Sequence, residues 1–516
     1  MPAGLAAMAS ISRTIAQRAS VVAGATFLSR ILGFVRDVVI AFALGTSPLA
    51  DAFFVAFRLP NLLRRLFAEG SLTMAFVPVF SRAREREGSE AAFAYARSAM
   101  VWLLIVVGLV VVAGILLARP VAWVIAPGFG DDPEIFDFTV RLIRICFPYI
   151  LFISAVALCM GILNSLGHFF APAAAPCVLN LVLISAALAG VAYDMSVPVL
   201  LAWAVLLAGL GQFLLQQPFL YQRGFSWRGA WRLRDDHVFR MGRLMLPMLL
   251  GAAVYQLNIV VNTMLASFLA KGSISYLYYA DRLVQFPLGV FGIAVGTAAL
   301  PSFSDLAAKG RYSDFLGSLN TSLGLTLFIC LPATAGLIGL SEPLVQTLFA
   351  RGAFDVTSVE ATAAALVGYS VGLPAFSCVR PLVSAYYALH DGRTPVAVAS
   401  VCLVVNAGLG LWLMQHIAHV GLALALSLAS WLNILLLGYK LSDHFYSWMD
   451  WGRGYGTMLL LSLAMGGGSY ATASLGPLSL LAIPLWAGAY FALCWKLGLA
   501  EASMVLDMVR RGKRSE

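Results

Sequence analysis

Apolar stretches of about 20 residues recur along the whole chain and are separated by short polar segments. An α-helix rises about 1.5 Å per residue, so a stretch of this length crosses the hydrocarbon core of a bilayer, which is about 30 Å thick. No long polar tract or low-complexity segment interrupts the series. We therefore predict an all-α polytopic membrane protein with about fourteen transmembrane helices, at 19–43, 52–80, 94–118, 137–164, 172–193, 197–221, 240–268, 274–304, 314–340, 358–388, 394–415, 419–441, 455–475 and 478–499.

The composition agrees with a chain that folds in lipid. Hydrophobic residues make up 60% of the sequence and charged residues 11%, whereas soluble globular proteins carry about 25% charged residues. The net charge of +9 could indicate nucleic-acid binding, but the basic residues lie mostly in the short loops between predicted spans. There they set the orientation of the helices, so we expect no nucleic-acid partner.

The basic residues are biased towards alternate loops, which predicts the orientation in the membrane. One set of loops, together with both termini, contains most of the arginine and lysine, including the segment 223–243. The opposite loops carry acids such as Asp131, Asp132 and Glu134. Because positive loops stay in the cytoplasm, we predict that both termini are cytoplasmic.

No motif for catalysis or metal binding is present. The seven cysteines lie singly in apolar segments and form no C-x-x-C pair, so they are typical of buried small side chains. A Walker A motif, a nucleophile elbow and an H-E-x-x-H motif are all missing from the sequence. We expect a protein that is not an enzyme and that has no cofactor.

Landmarks in the first half of the chain recur in the second half at a nearly constant offset. The matched pairs, with their offsets, are Arg58 and Arg282 (224), Pro78 and Pro301 (223), Pro172 and Pro395 (223), and Asn180 and Asn406 (226). The repeat unit is six spans, an even number, so both copies have the same orientation in the membrane. We predict two parallel six-helix lobes, at 19–221 and 240–441, with two additional helices at 455–499.

The first, second and eighth predicted spans carry ionisable residues, which cost roughly 2.5–3.5 kcal/mol each on insertion scales and usually face a cavity or a partner. The helical rise places Arg36 about 10 Å and Arg282 about 12 Å below the outer face. Arg64 and Arg30 come out near the middle, at about 18 Å and 20 Å. The four arginines, from three helices, are thus expected to reach a similar zone of the membrane.

One interpretation is that these residues only pair with neighbouring acids: Arg36 with Asp37, Arg65 with Glu69, and Arg282 with Asp281. It explains the whole set poorly, because arginine outnumbers carboxylate in these spans. A guanidinium group in a low dielectric needs an anion, and its planar fork matches two phosphate oxygens at once. A phosphate or diphosphate substrate would supply the missing negative charge.

The residues that carry these charges also carry a family resemblance. The segments SRILGFVRD at 29–37 and DAFFVAFRLPNLLRRLFAEG at 51–70 closely resemble the MurJ (MviN) family of lipid II flippases, as do APGF at 126–129 and YYADRL at 278–283. The resemblance implies the fold of the multidrug/oligosaccharidyl-lipid/polysaccharide exporter superfamily, with a groove for the lipid tail beside the last two helices. It implies substrate binding by Arg30, Arg36, Arg64 and Arg282, supported by Ser29, Asp37, Asp51, Asn61, Arg65, Glu69 and Asp281. Helical periodicity places Arg58, Asn61, Arg65 and Glu69 in a polar stripe along the second span, with Arg64 beside it. Periodicity thus favours Arg65 over Arg64, whereas the resemblance favours Arg64.

The expected function is translocation of lipid II, the undecaprenyl-diphosphate-linked peptidoglycan precursor, from the cytoplasmic to the periplasmic leaflet of the inner membrane by alternating access. Cell-wall synthesis enzymes are candidate partners, beside the membrane lipids. The alternatives are a flippase for another polyprenyl-diphosphate oligosaccharide, a drug or cation exporter of the same fold, and a scaffold that binds the precursor without moving it. Some family members hold sodium with carboxylates, but here the corresponding spans offer Asn258, Asn262 and Asn406 and contain no Asp or Glu. Membrane potential is the alternative driving force.

Overall fold

The computed structural model describes residues 3–66, 72–289, 293–442, 445 and 453–512, and the regular structure in these ranges is helical. The all-α prediction is therefore confirmed. The helices are α1 (Ala3–Leu44), α2 (Pro48–Leu66), α3 (Leu72–Glu87), α4 (Ser89–Leu116), α5 (Ala118–Ile125), α6 (Pro133–Cys146), α7 (Tyr149–Ser165), α8 (Phe170–Ala192), α9 (Val197–Gln222), α10 (Asp236–Ala266), α11 (Ser273–Pro287), α12 (Ile293–Ala308), α13 (Tyr312–Gly339), α14 (Ser341–Phe349), α15 (Val356–Ser370), α16 (Leu373–Ala388), α17 (Arg393–Leu441), α18 (Arg453–Ala473), α19 (Ile483–Lys496) and α20 (Ala500–Gly512).

Each predicted span coincides with one helix, with a pair of helices or with part of a helix. The span at 137–164 consists of α6 and α7, which meet at Pro148, and the span at 358–388 consists of α15 and α16, with Pro374 in the first turn of α16. Proline lacks the N–H that continues a helix, which explains both breaks. Conversely, α17 contains two predicted spans, 394–415 and 419–441. The backbone leaves the helical region between them, at Ile417 and Ala418.

By length and composition, eight of the helical segments that the structure describes could cross a membrane unaided. Helices that carry more charge or are shorter fall outside that set, among them α2 with its arginines and α11 with 15 residues. The total of fourteen spans therefore stays a prediction. Three helices were not predicted at all: α5 and α14 are too short to span, and α20 is amphipathic with acidic and basic residues.

The helix bounds repeat with the offset that the sequence landmarks showed. Helix α4 begins at Ser89 and α13 at Tyr312, an offset of 223 (312 − 89), and both are 28 residues long. The two unpredicted short helices follow the same rule, since α5 begins at Ala118 and α14 at Ser341 (341 − 118 = 223).

The chain forms two compact units, Met1–Gln256 and Leu257–Glu516. The boundary lies inside α10, 16 residues after residue 240, where the predicted second lobe begins (256 − 240). The predicted lobes at 19–221 and 240–441 and the addition at 455–499 stay a prediction.

Within the second unit, α18 packs against α13 through small residues. A Cβ atom on Gly339 would lie 2.8 Å from the carbonyl oxygen of Gly466, and one on Gly466 would lie 3.0 Å from Cβ of Ala335. Trp486 of α19 in turn lies over Gly468 of α18. In lipid the hydrophobic effect does not bring helices together, so close backbone approach of this kind is a main source of helix association. Helices α18 and α19 are thereby packed onto the rest of the second unit.

Replacing Gly466 with leucine should separate α18 from α13. The added side chain has no room against Ala335, and overpacking of this kind typically costs about 1–3 kcal/mol. The adjacent Gly467 provides the matched control, because a Cβ atom there would meet nothing within 4 Å. We expect Gly466→Leu to lower the thermal unfolding midpoint in detergent by several degrees and Gly467→Leu to leave it unchanged. Equal midpoints for the two variants would contradict this description of the interface.

Candidate anion-binding site

The most buried of the predicted site arginines is Arg36 of α1, of which 8% is exposed. Its Nη2 and Nε atoms lie 2.7 Å and 3.1 Å from Oδ1 of the neighbouring Asp37. Its Nη1 atom donates to Oδ1 of Asn180 at 3.1 Å. The ion pair keeps both charges satisfied in an apolar helix, where an unpaired charge would be costly. The guanidinium plane is therefore fixed from two sides.

Asn180 links this arginine to the backbone about two turns earlier in α1. Its Nδ2 atom donates to the carbonyl oxygen of Ser29 at 3.0 Å, so one amide side chain of α8 holds two points of α1. Gly33 lies beneath the amide, and a Cβ atom there would be 3.6 Å from Nδ2. The predicted supporting residues Ser29 and Asp37 thus lie in one cluster with Arg36. We name this cluster, with Asn180, the α1–α8 brace.

Asn180 was not among the predicted site residues. The sequence marked it only as a landmark of the repeat, paired with Asn406 at an offset of 226. That Arg36 is its partner, 144 positions away in the chain, follows only from the packing of α1 against α8. A buried polar side chain that recurs in both halves of a membrane protein is the signal that could have identified it.

The second helix carries its predicted residues in two places. Asp51 is buried in the first turn of α2, where Ser47 accepts a hydrogen bond from the N–H of Ala50. Towards the other end, Nε of Arg64 donates to Oδ1 of Asn61 at 3.0 Å. This contact joins Arg64 to the predicted polar stripe.

Arg30 and Arg65 differ from Arg36 in their surroundings. Arg30 is exposed and Arg65 is half-buried. Within the described ranges of the chain, neither has an ion pair or a side-chain hydrogen bond. Glu69, the predicted partner of Arg65, lies outside the described residues.

In the second unit, Arg282 of α11 lies over the ring of Tyr278, with Cζ 4.8 Å from the ring centroid. Its Nη2 atom donates to the Tyr278 hydroxyl at 3.2 Å, and its Nη1 atom lies 3.4 Å from Oε1 of Gln285. The amide of Gln285 also donates to Asp281. The four side chains form one ladder along α11, in which the tyrosine ring supports the flat face of the guanidinium. The prediction that Arg282 acts with Arg30, Arg36 and Arg64 stays a prediction.

The second unit has a neutral counterpart of the α1–α8 brace. Asn406, fully buried, donates to Oδ1 of Asn258 at 3.2 Å and to Oδ1 of Asn262 at 3.0 Å. At the offset of 226 that relates Asn180 to Asn406, Asn262 corresponds to Arg36 (262 − 36 = 226). Among the residues that the structure describes, no group of three or more His, Cys, Asp or Glu side chains is placed to hold a metal ion. The charge of the first unit is thus replaced by amides in the second.

Comparison with known proteins decides the family. The family model described as "Lipid II flippase MurJ" matches residues 40–487, which is most of the chain. The chain belongs to the MurJ family. A "Probable lipid II flippase MurJ" of Rhizobium tropici is 36% identical over 512 residues, covering 95% of this chain and 96% of that protein. The "Lipid II flippase MurJ" of Burkholderia cenocepacia is 35% identical over 504 residues, covering 93% and 97%.

Solved structures agree with membership of the MurJ family. A structure described as "Lipid II flippase MurJ, inward closed conformation" superposes with a TM-score of 0.79 at 26% identity, covering 92% of this chain and 98% of that one. An inward-facing multidrug resistance MATE family transporter superposes with a TM-score of 0.69 at 15% identity, covering 80% and 95%, and shows the shared fold alone. The protein is therefore a multi-pass inner-membrane protein with the fold that the resemblance implied.

Replacing Asn180 with leucine should weaken binding of an anionic ligand while the fold survives. Leucine keeps the branched shape of the side chain but removes both the acceptor for Arg36 and the donor to Ser29, so the guanidinium loses its contact with α8. A hydrogen bond to a charged group is worth about 1.5–3 kcal/mol, which corresponds to roughly tenfold or more in affinity.

The second comparison is Asn180→Asp, which keeps an acceptor for Arg36, loses the donor to Ser29 and adds a negative charge beside the guanidinium. Because the added carboxylate competes with the ligand for Arg36, we expect a larger loss for Asp than for Leu, measured as binding of a polyprenyl-diphosphate-linked glycan to the purified protein. Wild-type affinity in Asn180→Leu would show that the amide has no part in positioning Arg36.

Proposed function

We propose that the protein translocates lipid II from the cytoplasmic to the periplasmic leaflet of the inner membrane by alternating access. Membership of the MurJ family supports this, since the match covers residues 40–487 and relatives named as lipid II flippases align over nearly the full chain. The reaction moves a molecule without making or breaking its bonds, in keeping with a transport protein rather than an enzyme.

The main physical obstacle to this translocation is the charge of the diphosphate. Taking an ionised group from water into hydrocarbon without compensation costs many kcal/mol, so the head group needs a polar path across the membrane. Arginine side chains replace the lost water, because each guanidinium donates two parallel hydrogen bonds to phosphate oxygens. We assign this role to Arg30, Arg36, Arg64 and Arg282.

The observation that carries the proposal is the α1–α8 brace. Asp37 and Asn180 hold the guanidinium of Arg36 in a fixed plane inside an apolar helix, and such an arrangement suits a geometric role towards a ligand. Arg30, six residues earlier, is exposed and has the freedom to follow the anion. Arg64 and Arg282 are each steadied by a neutral neighbour, Asn61 and Tyr278 respectively.

The polyprenyl tail needs a different environment from the head. Helices α18 and α19 expose large apolar side chains, including Leu460, Leu463 and Leu485. In this proposal the tail stays in lipid or against these helices while the head crosses. Both termini are cytoplasmic, membrane potential is the driving force, and enzymes that make or use the precursor are the candidate partners.

The direct test uses the purified protein alone in liposomes that contain fluorescent lipid II. If the proposal holds, an impermeant reagent added outside should gain access to lipid that began in the inner leaflet, and empty liposomes should show no such change. Binding without movement between leaflets would favour the scaffold alternative. Transport of organic cations in place of lipid II would favour the drug-exporter alternative.

Replacing the proposed ligand arginines by lysine should not preserve function. Lysine keeps the positive charge but loses the planar fork, so each of Arg30→Lys, Arg36→Lys, Arg64→Lys and Arg282→Lys should lower affinity for the diphosphate by about tenfold or more. The matched control is Arg311→Lys, since Arg311 forms an exposed ion pair with Asp314 that lysine can replace.

The readout for these variants is complementation of a depleted strain at matched expression, together with the liposome assay. If alanine at all four positions left both readouts unchanged, the assignment of the anion site would be wrong. The liposome result for the wild type would still decide the function separately.

A further inference from the structure

The segment between α9 and α10, residues 223–235, is fastened to α4. Arg97 of α4, of which 4% is exposed, donates to the carbonyl oxygens of Ala230 at 2.8 Å and Ser226 at 3.1 Å. The same guanidinium forms an ion pair with Glu90 at 2.7 Å. A buried arginine that binds two backbone carbonyls of one loop fixes the course of that loop. We name residues 223–235 the α9–α10 loop.

Further contacts along α4 hold the same loop. Ser98 accepts a hydrogen bond from the backbone N–H of Arg232 at 2.9 Å, and the indole of Trp102 donates to the carbonyl oxygen of Leu233 at 2.7 Å. Gly229 has a φ of 148°, and a Cβ atom there would lie 2.6 Å from Cζ of Arg97, so the close approach requires glycine. The loop is therefore a preformed surface.

The contact with Trp102 places part of the loop at the edge of the hydrocarbon. Trp102 is 13 residues beyond Ser89 (102 − 89), about 20 Å along the helix axis. The uninterrupted apolar part of α4 begins at Ala99, and the helix exposes large aliphatic side chains from Leu104 onwards. Leu233, whose carbonyl oxygen accepts the hydrogen bond from Trp102, thus lies at the level where α4 enters lipid.

The exposed side chains at this level are of two kinds. Trp231, Leu233 and Phe239 expose 49%, 51% and 52% of their surface. Exposed arginines lie between and beside them, at Arg228, Arg232, Arg234 and Arg240. We name these seven residues the interfacial surface. The nearby acids have other partners: Glu90 pairs with Arg97, Glu87 with His237, and Asp235 accepts from the backbone N–H of His237. Only Asp236 is a further exposed acid in this segment, so positive charge dominates.

Positive charge on a loop is by itself explained by its effect on membrane orientation. That explanation does not require the loop to be fastened at a fixed depth or to expose large apolar side chains. Aromatic and aliphatic side chains mixed with arginine are the composition that settles at the boundary between head groups and acyl chains. There the apolar side chains enter lipid and the arginines meet phosphate.

We propose that the interfacial surface is a docking site for anionic phospholipid of the adjacent leaflet, with the lipid phosphate on Arg232 and Arg234 and the acyl chains against Trp231 and Leu233. This inference does not rest on the proposed transport function, because it concerns a surface of the first unit apart from the predicted substrate arginines. The ligand is a phosphodiester carried by two acyl chains, and a free phosphate would lack the apolar contacts.

The test uses the full-length protein in a non-ionic detergent, titrated with phosphatidylglycerol and separately with phosphatidylcholine, with bound lipid counted by native mass spectrometry. The double variant Arg232→Gln/Arg234→Gln removes two exposed charges without touching the backbone bond to Ser98. The matched control, Arg82→Gln/Arg86→Gln, removes two exposed arginines of the same unit at the end of α3. Equal thermal midpoints without added lipid establish that both variants are folded.

We expect Arg232→Gln/Arg234→Gln to weaken binding of phosphatidylglycerol by about tenfold or more, with phosphatidylcholine little changed. Arg82→Gln/Arg86→Gln should change either affinity by less than about threefold. Trp231→Ser/Leu233→Ser should weaken both lipids alike, because it removes the apolar contacts. An equal loss in the two arginine variants, or full displacement of the lipid by millimolar inorganic phosphate, would overturn the proposal.

Discussion

A guanidinium group inside an apolar helix has to be solvated by protein, and Arg36 imposes this condition on the first unit. Asp37 compensates its charge from the same helix, and Asn180 of α8 accepts a hydrogen bond from the other side of the guanidinium. Asn180 in turn holds the carbonyl oxygen of Ser29. The pairing of α1 with α8 is thus fixed by polar atoms, in a solvent where apolar contacts provide little specificity.

The internal repeat allows the two halves to be compared at this contact. The second unit keeps a polar contact between the corresponding helices but has no charged residue in it. Asn406 occupies the place of Asn180, and its partners Asn258 and Asn262 are neutral amides. Hydrogen bonds between amides satisfy buried polar groups without attracting an anion. The two halves therefore make the corresponding helix–helix contact with different chemistry, between neutral amides in the second half and around a charged guanidinium in the first. In the second half the positive charge has moved to α11, where Tyr278 supports Arg282.

Polar backbone groups outside the Arg36 cluster also have to be paired with a partner or covered by close packing. Helices α13 and α18 approach through Gly339 and Gly466, which brings their backbones into van der Waals contact. Arg97 does the equivalent for the α9–α10 loop, whose carbonyl groups would otherwise lie unpaired beside α4. Close packing of small residues excludes solvent from the backbone of two helices, and a buried arginine satisfies the backbone carbonyl groups of a loop at the edge of the membrane.

The sequence alone determined the all-α membrane fold, the internal repeat register and the family, because apolar run length, spacing of prolines and a contiguous motif are local properties of the chain. It also identified Arg36 and Asp37 together, since neighbours in sequence are neighbours on a helix. It did not identify Asn180 as the partner of Arg36, the short helices α5 and α14, or the fastening of the α9–α10 loop by Arg97. The two polar contacts depend on segments that meet only after folding: Asn180 lies 144 positions from Arg36, and Ala230 lies 133 positions from Arg97. The two short helices have eight and nine residues, which is below the run length that indicates a span. Periodicity reports which face of a helix is polar, but the partner that the face meets is decided by tertiary packing.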